Sequence, residues 1–196
     1  MYQGELIFAT SNPNKLQEVS FQLNGAVRII GLKDIGCSDD LPETTGTIEG
    51  NSLQKASYLK NKYGYDCFAE DTGLEVFALN GAPGVDTAHY AGPQRSDDDN
   101  MDLLLKKLEG VDNRSARFRT VVSLLIGEGQ WQFEGTVEGV ITNGKTGVKG
   151  FGYDPVFQPV GFNKTFAEMD KSEKVKISHR GRAIEQLVNF LRNFNQ

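Results

Sequence analysis

The chain has 196 residues, 38% hydrophobic and 24% charged, with 21 Lys and Arg against 26 Asp and Glu for a formal net charge of −5. These figures fit one globular domain, residues 1–196, with a sizeable core and room for two lobes. They argue against a general nucleic-acid binder, which carries a basic surplus or stripe, so any anionic ligand must be met by locally gathered cations. No apolar run approaches the ~20 residues of a membrane-spanning helix. The opening MYQGELIFAT has no basic region before its apolar run and reads as no secretory leader. Cys37 and Cys67 are too few for a disulfide framework or, alone, a zinc site. A cytoplasmic protein with reduced thiols and no membrane partner is expected.

In chain order, ELIFAT reads as a strand, SNPN breaks it, and KLQEVSFQL resumes with Leu16, Val19 and Leu23 at helical spacing. Asn12 suits the N-cap of that helix and Pro13 its first position. VRIIGL predicts a second strand. Residues 51–63 carry Leu53, Ala56, Leu59 and Tyr63 on one face and predict a helix. In CFAEDTGLEVFAL two strand-like runs flank EDTG, which puts Glu70 and Asp71 at a strand end beside a turn at Thr72 and Gly73. SDDDNMDLLLKKLEG predicts the best-signalled helix. Ser96 caps it, three aspartates fill its first turn, Lys106 and Lys107 close it, and Gly110 stops it. ARFRTVVSLLIG and WQFEGTVEGVI, joined through Gly127-Glu128-Gly129, predict a hairpin, and RAIEQLVNFLRNF a closing helix. The sum is an α/β domain with a mixed sheet.

Four stretches gather charge or aromatic surface. ATSNPNK runs strand, polar loop, helix, an arrangement that can cradle an anion on first-turn N–H groups, with Lys15 adding a full charge; taken alone, an ordinary capped turn suffices to explain it. Glu43 precedes the helix carrying Lys55, and Asp71 follows a strand. Acids converging from separate segments suit Mg²⁺, which takes oxygen ligands beside substrate phosphates. Burying such acids unpaired costs several kcal/mol, about, so they are either solvated turn residues or face something positive. In GFGYDPVF, Phe151 lies between Gly150 and Gly152 and either offers a flat face to a base or packs under a turn. SEKVKISHRGRA gathers Lys174, Lys176, His179, Arg180 and Arg182, as a phosphate cluster or as a solvated basic helix end.

FATSNPNK, ETTGTIEGNSLQKA, AEDTGLEV, GAPGV…YAG, FGYDPVF and SEKVKISHRGRA occur in the order typical of one family. Across essentially its whole length the chain resembles the inosine/xanthosine triphosphate pyrophosphatases, house-cleaning enzymes of the nucleotide pool. The resemblance implies an elongated mixed β-sheet with two α/β lobes flanking a deep nucleotide-binding cleft. It also implies a homodimeric, Mg²⁺-dependent hydrolase converting ITP, dITP and XTP to the monophosphate plus pyrophosphate. On that likeness Thr10, Ser11, Asn12, Pro13, Asn14 and Lys15 hold phosphates, Glu43 and Asp71 bind the metal, Asp71 takes the water's proton, and Thr72 contacts substrate. Lys55, Phe151, Gly152, Tyr153, Asp154, Lys174, His179 and Arg180 then surround the nucleotide. The chain departs from the family pattern at Gly50, Glu70, Asp86 and His89.

The expected reaction is attack of water on the α-phosphorus with pyrophosphate leaving, Lys15, Lys55 and Lys174 stabilising the polyphosphate charge. Base choice rests on donors aimed at the 6-oxo group of hypoxanthine or xanthine, with Arg180 and backbone N–H groups as candidates. A regulatory module that binds purine triphosphates without turnover would need the cradle and the basic cluster but not Asp71. A pyrophosphatase for modified pyrimidine nucleotides is a second alternative, which SHRG and FGYDP oppose through the resemblance.

Overall fold

The computed structural model describes Tyr2, residues 4–23 and residues 27–194, and the chain divides into two compact units. Unit 1 takes residues 1–71, 120–135 and 179–196; unit 2 takes residues 72–119 and 136–178.

In unit 1, strand β1 (Glu5–Phe8) leads into helix α1 (Pro13–Gln22), and strand β2 (Arg28–Gly31) pairs parallel to β1. Helix α2 (Ile48–Tyr63) crosses to strand β3 (Cys67–Val76), which pairs parallel on the other side of β1 through Ile7↔Cys67 and Phe8↔Phe68. The inner ends of strands β5 (Ser115–Ile126) and β6 (Gly129–Ile141) extend the order to β2-β1-β3-β5-β6. Successive strand residues point to opposite faces, and each face has its own cover. Leu6, Phe8 and Phe68 share a core with Val19 of α1 and with Ile184 and Leu187 of helix α5 (His179–Asn193). Ile7, Ala9, Cys67 and Ala69 pack instead with Ala56 and Leu59 of α2. The first residue of α5 comes close to β6 because Gly135 has no side chain: a Cβ there would run into the carbonyl oxygen of His179.

Unit 2 holds the outer ends of β3, β5 and β6. The short strand β4 (Pro83–Gly84) pairs antiparallel with β3, and β7 (Phe157–Pro159) pairs antiparallel with β6. Helix α3 (Asp97–Lys107) begins where Ser96 Oγ accepts from the Asp99 N–H at 3.2 Å. Its aspartates and lysines sit at the ends that suit the helix dipole. Phe118, Phe157 and Phe166 fill the core with ring centroids 4.7–6.3 Å apart. A seven-residue helix α4 (Lys171–Ile177) ends the unit.

The mixed α/β class is as expected, and the parallel and antiparallel pairings make the sheet mixed. Two helices start three residues before their expected limits: α2 at Ile48, capped by Thr47, and α5 at His179. Helix α4 was not expected, because its KSEKVKI sequence has no apolar face long enough to read as a period. No helix among the described residues is long and apolar enough to cross a membrane.

Candidate active site

The loop after β1 is closed by its own side chains. Asn12 Oδ1 accepts from the N–H groups of Asn14 and Lys15 at 2.9 and 3.3 Å, with Pro13 opening the helix. Thr10 Oγ1 accepts from the Asn12 N–H at 3.2 Å. Both cap expectations therefore hold, and two first-turn N–H groups already serve the cap. The Lys15 ammonium reaches Glu70 Oε1 at 3.3 Å.

Glu70 and Asp71 do not sit at a strand end. β3 runs unbroken through EDTG for ten residues, so the expected turn at Thr72 and Gly73 is corrected. Sheets disfavour acids, but here cations wait on both faces, and that pairing overrides local preference. Both acids are buried, Glu70 at 2% and Asp71 at 7% exposure. As neighbours in a strand they point to opposite faces, and each joins a different charge network.

On the face of α1 and α5, the Arg180 Nε donates to Glu70 Oε2 at 2.8 Å and Oε1 at 3.0 Å, and its Nη1 donates to Glu18 Oε2 at 2.6 Å. Glu18, Lys15, Glu70 and Arg180 thus hold two negative and two positive charges. Burial pushes the Glu70 carboxyl up, but Arg180 and Lys15 outweigh it and hold its pKa down at about 2. Burial also depresses Lys15, with Lys55 and Arg180 adding to the effect and Glu70 opposing it. Arg180 is raised, because Glu70 and Glu18 outweigh its burial.

This arrangement fixes an acid response. The folded Glu70 titrates at about 2 against an ordinary value of 4.5. The stability it contributes is therefore complete above about pH 4.5 and is lost as the pH falls towards about 2. Denaturant unfolding of Glu70→Gln should show a flatter decline of stability across that interval than the wild type. An equally steep decline would assign the acid response to other carboxylates.

On the face of α2, the Lys55 ammonium lies between two acids, 2.5 Å from Glu43 Oε1 and 3.1 Å from Asp71 Oδ1. Burial pulls Lys55 down, but Asp71 and Glu43 outweigh it and keep the ammonium charged. These three side chains carry two negative charges against one positive. The segment with Glu43 is stitched to α2: the Thr44 N–H donates to Gln54 Oε1 at 2.8 Å, and the Thr45 N–H donates to Asn51 Oδ1 at 3.1 Å. Gly50 is part of this closure, since a side chain there would meet the hydroxyls of Thr45 and Thr47.

In unit 2, buried Lys174 and Asp154 form an ion pair at 2.6 Å, and the Asp154 carboxylate also accepts from the Phe151 N–H at 2.9 Å. The Lys174 ammonium lies 4.9 Å from the half-buried Phe151 ring. The Gly152 N–H donates to Asp97, and the Tyr153 hydroxyl donates to the Thr87 carbonyl at 3.0 Å. Thr72 is the first residue of this unit, next in β3 after Asp71. Asp86 and His89, which both depart from the family pattern, meet each other at 3.2 Å.

The basic segment divides. Lys176 and Arg182 are exposed, as a solvated helix end would have them, whereas Lys174, His179 and Arg180 are buried. Sequence reading missed Glu18 and Asn51. The signals were present: Glu18 lies three residues after Lys15, and Asn51 four before Lys55, each pair on one helix face.

A model of the Ham1 family matches residues 6–190. The chain is 52% identical over 189 residues to a dITP/XTP pyrophosphatase of Flavobacterium psychrophilum, an alignment covering 96% of this chain and 100% of that one. It is 50% identical over 188 residues to one of Porphyromonas gingivalis, covering 95% and 97%. The structure of the Staphylococcus aureus Ham1 protein superposes with a TM-score of 0.88 at 38% identity, covering 96% and 98% of the two chains.

Proposed function

Because the chain belongs to the Ham1 family, we propose that it hydrolyses ITP, dITP and XTP to the monophosphate plus pyrophosphate, a nucleoside triphosphate pyrophosphatase acting on non-standard purine nucleotides. The observation that carries the reading is the pair of carboxylates, Glu43 and Asp71, drawn from separate segments onto one ammonium. Two carboxylates brought to one place, buried Asp71 and exposed Glu43, make a natural seat for a cation beside a polyphosphate.

The donor set fits a divalent cation. It offers hard carboxylate oxygens from two separate segments, both within reach of one ammonium. Two carboxylates suit Mg²⁺, which usually keeps several waters and shares its remaining positions with phosphates. Glu43 and Asp71 would hold it. When bound, such an ion neutralises phosphate charge and makes a nearby water easier to deprotonate. A cation held there would compete with the Lys55 ammonium for the same oxygens, which would leave Lys55 to the polyphosphate.

The chain's own groups then divide the work. Asp71 takes the proton of the water that attacks the α-phosphorus. Lys15, Lys55 and the segment Thr10–Asn14 bind phosphates and oppose the charge that builds on the leaving pyrophosphate. Thr72, Phe151, Gly152, Tyr153, Asp154, Lys174, His179 and Arg180 contact the nucleotide, and donors among them that meet a 6-oxo acceptor are left unpaired by adenine's 6-amino group. The free, buried thiols of Cys37 and Cys67 suit a reducing cytoplasm. A homodimer is proposed on the family likeness.

The test is a panel of ITP, dITP, XTP, ATP, GTP and a modified pyrimidine triphosphate, each with Mg²⁺, with the released product identified. Pyrophosphate from the three non-standard purines and little from ATP is the expected result. Orthophosphate release would overturn the bond assignment, and tight binding of ITP without turnover would make the protein a sensor.

A further inference from the structure

Asn51 is buried at 4% exposure in the first turns of α2, although nothing in the reaction calls for an amide. Its orientation is forced from both ends. The Thr45 N–H can only donate, and it meets Asn51 Oδ1 at 3.1 Å, where the Thr45 hydroxyl also donates at 2.9 Å. The Asp71 carboxylate accepts, and its Oδ2 meets Asn51 Nδ2 at 3.3 Å. No flipped amide satisfies both neighbours.

Lys55 lies one helical turn further on and makes the same kind of bridge, from Asp71 Oδ1 to Glu43. The α2 helix therefore holds both oxygens of Asp71 at once, one through an ammonium and one through an amide. Each holding residue is also tied to the 43–45 segment. The two contacts differ in kind. Lys55 would be exchangeable, since a divalent cation on Glu43 and Asp71 would replace its positive charge; the neutral amide contributes no charge for a cation to replace.

We propose that Asn51 is a positioning residue for the hydrolysis. Its Nδ2 fixes the plane of the Asp71 carboxylate, and its Oδ1 holds the segment bearing Glu43 in register with it, so the acid pair keeps its geometry when Lys55 lets go. This rests on the role proposed above for Asp71.

Asn51→Asp separates positioning from simple support of the loop. It keeps an acceptor for both Thr45 donors and replaces the donor to Asp71 with a carboxylate oxygen, which is why Asn51→Ala is measured beside it. Expected is a kcat loss of about 10–100-fold at saturating metal with KM within about threefold, the scale for groups that orient metal ligands. Asn51→Ala removes both sets of bonds and should lose at least as much kcat. Its affinity for Mn²⁺ alone, followed by electron paramagnetic resonance without nucleotide, should fall about tenfold. Asn51→Asp with kcat within about threefold of wild type overturns the proposal and leaves Asn51 as a loop anchor. If the added charge unfolds that variant, Asn51→Ala decides by the same threefold criterion. Asp71→Asn in the same assay keeps the two ideas apart: an active Asp71→Asn sinks the reading of Asp71, whereas an inactive one beside an active Asn51 variant sinks the role of Asn51 alone.

Discussion

Asp71→Asn should lower kcat on ITP by about 10²–10⁴-fold while the protein stays folded, the range expected when a general base is removed. The substitution is nearly isosteric, so the packing around β3 survives. Its side chain loses the negative charge that pairs with Lys55 and the basicity that would take a proton. The reading makes a second demand, that Mn²⁺ binding weaken as well, since one of two carboxylates has gone. Near-normal turnover in a cooperatively melting Asp71→Asn protein would remove Asp71 from the mechanism, and the sensor alternative would then have to be met on the panel of triphosphates.

Arg180→Ala should strongly destabilise unit 1. It strips the main partner from Glu70 and the Nη1 donor from Glu18, both buried. Breaking a buried pair by removing one side leaves an uncompensated charge and costs about 3–5 kcal/mol. For a chain of this size that lowers Tm by roughly 6–20 °C, readable by calorimetry or circular dichroism. Arg180→Lys should recover little, because an ammonium cannot reproduce the planar fork that spans two carboxylates. Kinetics below the melting transition supply a second readout. A fall of roughly 10–200-fold in the ITP/ATP ratio of kcat/KM would put an Arg180 donor on the 6-oxo group. A ratio that holds leaves Arg180 as the charge partner of Glu70 and moves base choice to backbone groups near Phe151. A Tm within about 2 °C of wild type would contradict the buried network itself.

Much of the local structure was legible because its signals are local. Asn12-Pro13 and Ser96 with its three aspartates announce helix starts through side chains that bond the next few N–H groups, and both do so. The hairpin of β5 and β6 follows from two long β-type runs around a glycine turn. What failed was governed by distant partners. EDTG has the composition of a turn, and only Lys55, Lys15 and Arg180, far off in the chain, make it a strand. Glu18 looks like any polar residue on a surface helix until Arg180 arrives from 162 positions away. The basic segment near the end showed the right residues but not their division, because exposure is decided by what packs around them: Lys176 and Arg182 reach solvent while Lys174, His179 and Arg180 do not.

The opposed directions of Glu70 and Asp71 bear on how β3 finds its alignment. A strand covered on one side is aligned by its apolar pattern, since a slip of one residue would turn that pattern to the water. β3 is covered on both sides, and Cys67, Phe68, Ala69, Leu74 and Val76 are buried alike whichever way they face, so greasiness alone distinguishes poorly between neighbouring alignments. Charge does distinguish. Slipped one way, Ala69 would face Arg180 and Lys15; slipped the other, Thr72 would face Lys55. Either error strands buried cations opposite a neutral side chain. The acid pair thus acts as a key that admits one alignment of the central strand.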